Sequence, residues 1–195
     1  MIKTFGFLLM MIFAVTFSEA QDLKSPSDFL GYEIGTQFTR HSDVVDYFNH
    51  VAENSALVSY YHYGKTNERR PLTYAVVTSE NNQRKLETIR LNNLKQIGLA
   101  EGTANPDVAI VWLSYNVHGN EASCTEAAMQ TLYELITKKQ SWLENTVVII
   151  DPNLNPDGRD RYVNWYNQVK STPYDSRQIA AEHNEPWPSG RPNHY

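Results

Sequence analysis

Residues 108–121 read VAIVWLSYNVHGNE. The apolar part, Val108 to Ser114, predicts a strand that is buried on both faces, and Ala122 to Lys139 predicts a helix after it. A histidine and a glutamate three residues apart at such a junction can direct an imidazole nitrogen and a carboxylate oxygen at one metal ion. His118 and Glu121 are therefore candidate zinc ligands, and a catalytic zinc normally needs a third protein ligand.

The His118–Glu121 spacing is a weak signal when taken alone. Spacing alone favours the alternative, a hydrogen-bonded turn histidine followed by a glutamate near the positive end of a helix dipole. Two residues between them favour the metal site. Gly119 permits a sharp turn, and Asn120 is predicted to be the N-cap, which places Glu121 in the first helical turn.

The elements around this junction predict the fold class. Strands alternate with helices, which is typical of a layered α/β sandwich with parallel strands in the middle of the sheet. Ligands of such sheets bind outside the carboxyl ends of the strands, and His118 and Asp151 both follow such an end. The predicted elements are a helix over Ser42 to Asn54, a hairpin of Leu57 to Tyr63 and Leu72 to Thr78, a helix over Asn82 to Leu99, and a strand over Val147 to Ile150.

Pro152 to Tyr195 differs in composition, since it holds six of the nine prolines. This predicts a long, loop-rich stretch, and its aromatic side chains favour a functional loop. Within it, Asn155-Pro156-Asp157-Gly158 predicts a tight turn. A turn after a strand can place an arginine over a pocket, where it would stabilise a developing oxyanion. Arg161 is our candidate for that role, with Arg159 as the alternative.

Residues 1–20 have the pattern of a signal peptide. Lys3 precedes an apolar segment, Phe5 to Phe17, and Ser18-Glu19-Ala20 offers a cleavage site. A membrane anchor is the alternative, but the apolar segment is short for a bilayer. We therefore predict export to the periplasm or the extracellular space, with a mature chain that begins at Gln21.

Composition excludes several other functions. The net charge is -5 and no basic patch is visible, which argues against nucleic acid as a partner. No segment after the signal peptide is apolar for long enough to predict a membrane partner. Cys124 is the only cysteine, so no internal disulfide can form, and its place in the helix pattern predicts a small core residue. No His-Glu-x-x-His, Gly-x-Ser-x-Gly or Cys-x-x-Cys motif is present.

Several motifs together resemble the zinc carboxypeptidases of the carboxypeptidase A type, and secreted bacterial members most closely. These motifs are Tyr63-Gly64-Lys65, Arg70-Pro71-Leu72, His118-Gly119-Asn120-Glu121 and Asn155-Pro156-Asp157-Gly158. The resemblance covers Ser25 to Tyr195. It implies a three-layer α/β/α sandwich with a mixed, centrally parallel sheet. It also implies a Zn²⁺ cofactor with His118 and Glu121 as the first two ligands, and a peptide or protein substrate with a free C-terminus. The metal would polarise the peptide carbonyl that a water molecule attacks.

The resemblance also implies residues that cannot be placed in this chain. They are a third zinc ligand, a general-base glutamate and an Asn-Arg pair that grips the substrate carboxylate. His183 and His194 follow Glu121 too soon to be the third ligand. We therefore expect residues 21–195 to be the N-terminal part of a catalytic domain, truncated at its C-terminal side and inactive alone. A cell-wall peptide hydrolase or deacylase on the same scaffold, and a non-catalytic binding protein, remain alternatives.

Overall fold

The computed structural model describes residues 22–170, so the predicted signal peptide, His183 and His194 lie outside the described residues. Within this part, helices and strands alternate along the chain. In order they are α1 (Pro26–Leu30), α2 (His41–Asn54), β1 (Val58–Lys65), β2 (Pro71–Val77), α3 (Glu80–Gln83), α4 (Leu86–Gln96), β3 (Ala109–Ser114), α5 (Ser123–Thr137), a 3-10 helix (Gln140–Glu144), β4 (Thr146–Asp151) and α6 (Pro156–Val169). None of these helices is both long and apolar enough to cross a membrane.

The described strands form one mixed sheet in the order β1-β2-β4-β3. The strands β1 and β2 form the predicted hairpin, with Val58 opposite Val77 and a register shift between His62 and Gly64. The strand β2 pairs antiparallel with β4, and β4 pairs in parallel with β3. The predicted mixed α/β sheet is confirmed.

Helices cover both faces of this sheet, which gives three layers. On one face α2 and α5 pack against β2 and β4 through the side chains that the helical patterns predicted: Val44, Phe48, Val51, Ala128, Leu132 and Leu135. On the other face Ile89 of α4 packs against Val76 and Val147. Cys124, predicted in the same stripe of α5, is only half-buried.

The prediction that β3 is buried on both faces is wrong for the described part of the chain. Val111 is 41% exposed on one face and Trp112 is 64% exposed on the other. These side chains are exposed because β3 lies at one edge of the described sheet and pairs there with β4 alone. A continuous apolar run indicates a strand that can be covered on both faces, but it does not say by what.

One predicted helix is divided in the structure, and one further helix was not predicted. The helix expected over Asn82 to Leu99 is divided into α3 and α4, with the break at Arg84 and Lys85. The Asn82 side chain in α3 turns inward and donates hydrogen bonds to the carbonyls of Leu143 and Glu144. The segment before α2, for which no element was predicted, contains the short helix α1, capped by the hydroxyl of Ser25.

The loop-rich prediction for Pro152 to Tyr195 is wrong over its first part, where α6 forms. The Asn155 side chain accepts a hydrogen bond from the Gly158 amide at 3.0 Å and thereby caps the helix. Pro156 occupies the first helical position, where a missing N–H costs nothing. The residues that suggest a tight turn are therefore the N-terminal signal of a helix.

Candidate metal site

His118 and Glu121 lie in the loop that joins β3 to α5, which we call the 116–122 loop. Their side chains converge, with His118 Nδ1 3.3 Å from Glu121 Oε2. Both are open to solvent, since the side chains are 30% and 55% exposed. The loop follows the carboxyl end of β3, which is the predicted position of a ligand site in such a sheet.

This geometry fits two ligands of one zinc ion. Two ligand atoms that each lie about 2.0–2.1 Å from a tetrahedral Zn²⁺ are about 3.3 Å apart. An imidazole nitrogen and a carboxylate oxygen are also donor types that zinc accepts. The same separation places the imidazole nitrogen and the carboxylate oxygen in direct polar contact. Residues 22–170 contain no group of three or more His, Cys, Asp or Glu side chains that could hold a metal ion.

The prediction that Asn120 caps α5 is wrong. The helix begins at Ser123, and Ala122 occupies the N-cap position without a side-chain hydrogen bond. Two successive turns precede the helix, because the Glu121 amide donates to the His118 carbonyl at 3.1 Å and the Cys124 amide donates to the Glu121 carbonyl at 3.2 Å. Glu121 therefore lies before the helix, in the same turn as His118.

Gly119 is required by a close approach between two segments of backbone. A Cβ atom at this position would lie 2.0 Å from the carbonyl carbon of Gly158 and 2.5 Å from the amide nitrogen of Arg159. The backbone of the first turn of α6 thus packs directly against the 116–122 loop. The Asn155 side chain adds a hydrogen bond to the Val117 carbonyl at 3.1 Å.

Arg159 lies beneath the same loop and is fully buried. Its guanidinium donates to four acceptors, which are the Thr39 carbonyl, the Asn116 side chain, the Ala122 carbonyl and the Glu126 carboxylate. A group held in this way cannot reach a substrate, so the structure removes Arg159 as the alternative oxyanion stabiliser. Arg161 is partly exposed on α6, and its proposed role stays a prediction.

Asn116 connects Arg159 to the candidate ligands. It adopts a left-handed backbone conformation with φ of 56°, which asparagine tolerates better than most residues. Its side-chain oxygen accepts from Arg159 and from the Thr125 hydroxyl, and its amide nitrogen donates to the His118 carbonyl at 3.1 Å. These buried partners were not predicted from the sequence. The one available signal was Glu126, a charged residue among the apolar positions of α5.

Asp151, the other residue predicted at a strand end, lies at the end of β4 and is fully buried. Its carboxylate accepts hydrogen bonds from the Tyr63 hydroxyl at 2.7 Å and from the Asn153 amide at 3.2 Å. Burial raises the pKa of this carboxyl, and the two hydrogen bonds oppose that effect. Asp151 therefore holds β1 and the start of the next loop together.

Replacing Asp151 with asparagine is expected to change how stability depends on pH. A carboxyl whose pKa is raised on folding contributes stability at acid pH, and this stability is lost as the pH rises through the folded pKa. Asparagine does not titrate. The free energy of unfolding of Asp151→Asn, minus that of the wild type, should therefore rise from about pH 4 to neutral pH. Urea denaturation at both pH values measures this, with the exposed Asp46→Asn as the control for loss of one charge. A difference that falls over this range would contradict the assignment.

The family model for zinc carboxypeptidases (Peptidase_M14) matches residues 44–195. No protein of curated function matches the chain at a significant level.

Several solved structures are similar to this chain. Carboxypeptidase A from Helicoverpa armigera is 17% identical with a TM-score of 0.50, and the match covers 69% of this chain and 31% of that one. Bovine thrombin-activatable fibrinolysis inhibitor, in complex with tick carboxypeptidase inhibitor, is 15% identical with a TM-score of 0.47, over 69% and 35% of the two chains. A putative carboxypeptidase A from Shewanella denitrificans is 22% identical with a TM-score of 0.42, over 64% and 28%. The match to the Helicoverpa enzyme supports the fold, and the chain spans about a third of the length of these relatives.

Proposed function

Because the chain belongs to the zinc carboxypeptidase family, we propose that His118 and Glu121 are zinc ligands of a metallocarboxypeptidase that hydrolyses C-terminal peptide bonds. The observation that carries this proposal is the separation of 3.3 Å between His118 Nδ1 and Glu121 Oε2, at the carboxyl end of β3. The substrate would be a peptide or protein with a free C-terminus.

Zinc would supply Lewis-acid polarisation of the scissile carbonyl and lower the pKa of water. The contribution of this chain is to hold the metal. His118 offers an imidazole nitrogen and Glu121 a carboxylate, and the contacts of the 116–122 loop with Arg159, Asn155 and Gly158 keep the two groups together. Arg161 would stabilise the oxyanion that develops on the substrate. Its position on α6 supports this role, since the first turn of α6 packs against Gly119 of the 116–122 loop.

The described residues supply only two of the three protein ligands that a catalytic zinc normally has. We therefore propose that this 195-residue chain binds zinc weakly and does not hydrolyse peptides alone. Release of a C-terminal amino acid from a blocked dipeptide by the purified chain, at a rate abolished by Glu121→Gln, would contradict this part of the proposal.

Export is proposed from the pattern of residues 1–20, which lie outside the described residues. A secreted product whose first residue is Gln21, determined by mass spectrometry, would support a cleaved signal peptide. A product that retains Met1 would exclude it.

Zinc binding tests the assignment of the ligands. Titration calorimetry of the metal-free mature chain with Zn²⁺ should give one site, and His118→Ala should weaken it by at least tenfold, since one of two ligands is lost. His62→Ala is the matched control, because His62 is an exposed histidine on β1, away from the loop. Equal weakening by both substitutions, or by neither, would overturn the assignment.

A further inference from the structure

The buried side chains beneath the 116–122 loop form a connected group whose role the proposed function does not explain. Arg159 is fully buried, and its only carboxylate partner among the described residues is Glu126, at 2.8 Å. A buried ion pair is weak evidence for stability, because desolvation of both charges offsets most of the attraction. This pair is distinguished by the other acceptors of Arg159, two of which lie in the 116–122 loop.

Arg159 holds the 116–122 loop at both of its ends. Nη1 donates to the Asn116 side chain at 3.0 Å, before the candidate ligands, and to the Ala122 carbonyl at 2.5 Å, after them. The middle of the loop is fixed from the same side, because Gly119 lies against the peptide bond that joins Gly158 to Arg159. One planar guanidinium therefore sets the distance between the two ends.

Asn116 connects Arg159 to the backbone of the candidate ligands. Its amide nitrogen donates to the His118 carbonyl, and that same carbonyl accepts the Glu121 amide at 3.1 Å. The backbone groups of both candidate ligands thus meet at one oxygen atom, which Asn116 holds in place. From this geometry we infer that Arg159 and Asn116 are positioning residues that set the His118–Glu121 separation. This inference rests on the proposed zinc site.

The experiment uses Asn116→Gly, because glycine adopts the left-handed conformation of residue 116 without strain and removes only the side chain. Loss of a hydrogen-bonding partner behind a metal ligand typically weakens metal binding by 10- to 100-fold. We expect Zn²⁺ affinity, measured by calorimetry, to fall by about tenfold or more. Arg159→Lys should act in the same direction, since one ammonium nitrogen cannot replace both Nη1, which bonds the two ends of the loop, and Nη2, which bonds Glu126.

Thr78→Val is the matched control. Thr78 is also buried, and its hydroxyl makes three hydrogen bonds, with Leu143, Thr146 and Asn82. These contacts lie at the amino end of β4, whereas the 116–122 loop lies at the carboxyl ends of β3 and β4. Thr78→Val should lower the midpoint of thermal unfolding and leave Zn²⁺ affinity unchanged. Equal loss of affinity in Thr78→Val and Asn116→Gly would show a general effect on stability and overturn the inference.

A measurement without metal separates this inference from the proposed function. Hydrogen exchange of the Glu121 amide, followed by NMR in the zinc-free protein, should be about tenfold faster in Asn116→Gly than in the wild type, because its acceptor is released. Unchanged exchange would overturn the positioning role whatever the metal does. Faster exchange together with Zn²⁺ binding that does not depend on His118 would confirm the positioning of the loop and reject the zinc site.

Discussion

Gly119→Ala is expected to destabilise the protein by about 3 kcal/mol, at the upper end of the usual cost of overpacking. The added methyl group would lie 2.0 Å from the carbonyl carbon of Gly158, so two backbone segments would have to separate. Neither can move freely, because the Gly158 amide is bonded to the cap of α6 and the Gly119 segment is bonded through Asn116 and Val117. We also expect Zn²⁺ binding to be lost, since the 116–122 loop would lift away from α6.

Gly64→Ala is the matched control for this substitution. A Cβ atom at Gly64 would meet only the Leu72 side chain, at 3.8 Å, which is an ordinary contact. Its free energy of unfolding should stay within about 0.5 kcal/mol of the wild-type value. Chemical denaturation of both variants makes the comparison. A cost below about 1 kcal/mol for Gly119→Ala would mean that the loop and α6 are less closely packed than described.

Arg159→Met is expected to cost about 3–5 kcal/mol, because it leaves the Glu126 carboxylate buried without its cation. Glu126 Oε1 would retain the Thr39 amide as a donor, and Oε2 has no hydrogen-bond partner among the described residues. The Asn116 side chain and the Ala122 carbonyl would each lose the hydrogen bond from Arg159, and Asn116 would keep the one from Thr125. Urea denaturation of the metal-free protein measures this cost.

Two further variants show whether the cost arises from a buried charge. Arg159→Met combined with Glu126→Gln should recover a large part of the lost stability, since the remaining amide is neutral and its oxygen still accepts from Thr39. Arg84→Met should cost at most about 1 kcal/mol, because the Arg84–Glu80 pair is exposed and 3.9 Å apart. If the double variant is no more stable than Arg159→Met, the lost hydrogen bonds and packing dominate, and the buried charge is not the cause.

Local patterns in the sequence predicted the elements and the candidate ligands. The period of apolar residues in α2 and α5 identified their buried faces, because each face is determined by spacing within one helix. The His118–Glu121 pair was identified for the same reason, since both residues belong to one turn. The N-terminus of α6 was missed because Asn-Pro and Asp-Gly begin helices as well as tight turns, and the choice depends on the residues that follow.

Contacts between distant segments could not be predicted. The exposure of Trp112 depends on which strand lies beside β3, and the burial of Arg159 depends on Glu126, 33 residues earlier in the chain. The need for glycine at residue 119 arises from the Gly158 backbone, although the local sequence suggested only a sharp turn. A hydrophobic period carries no information about such partners.

The supports of the 116–122 loop have a consequence for the thermodynamics of metal capture. The hydrogen bonds that join it to α6 and its cap span 37, 38 and 43 residues of chain. Closing a chain of about 40 residues costs roughly 3 kcal/mol of conformational entropy. This entropy is lost when the metal-free protein folds. Binding of an ion therefore does not have to order the backbone that carries His118 and Glu121.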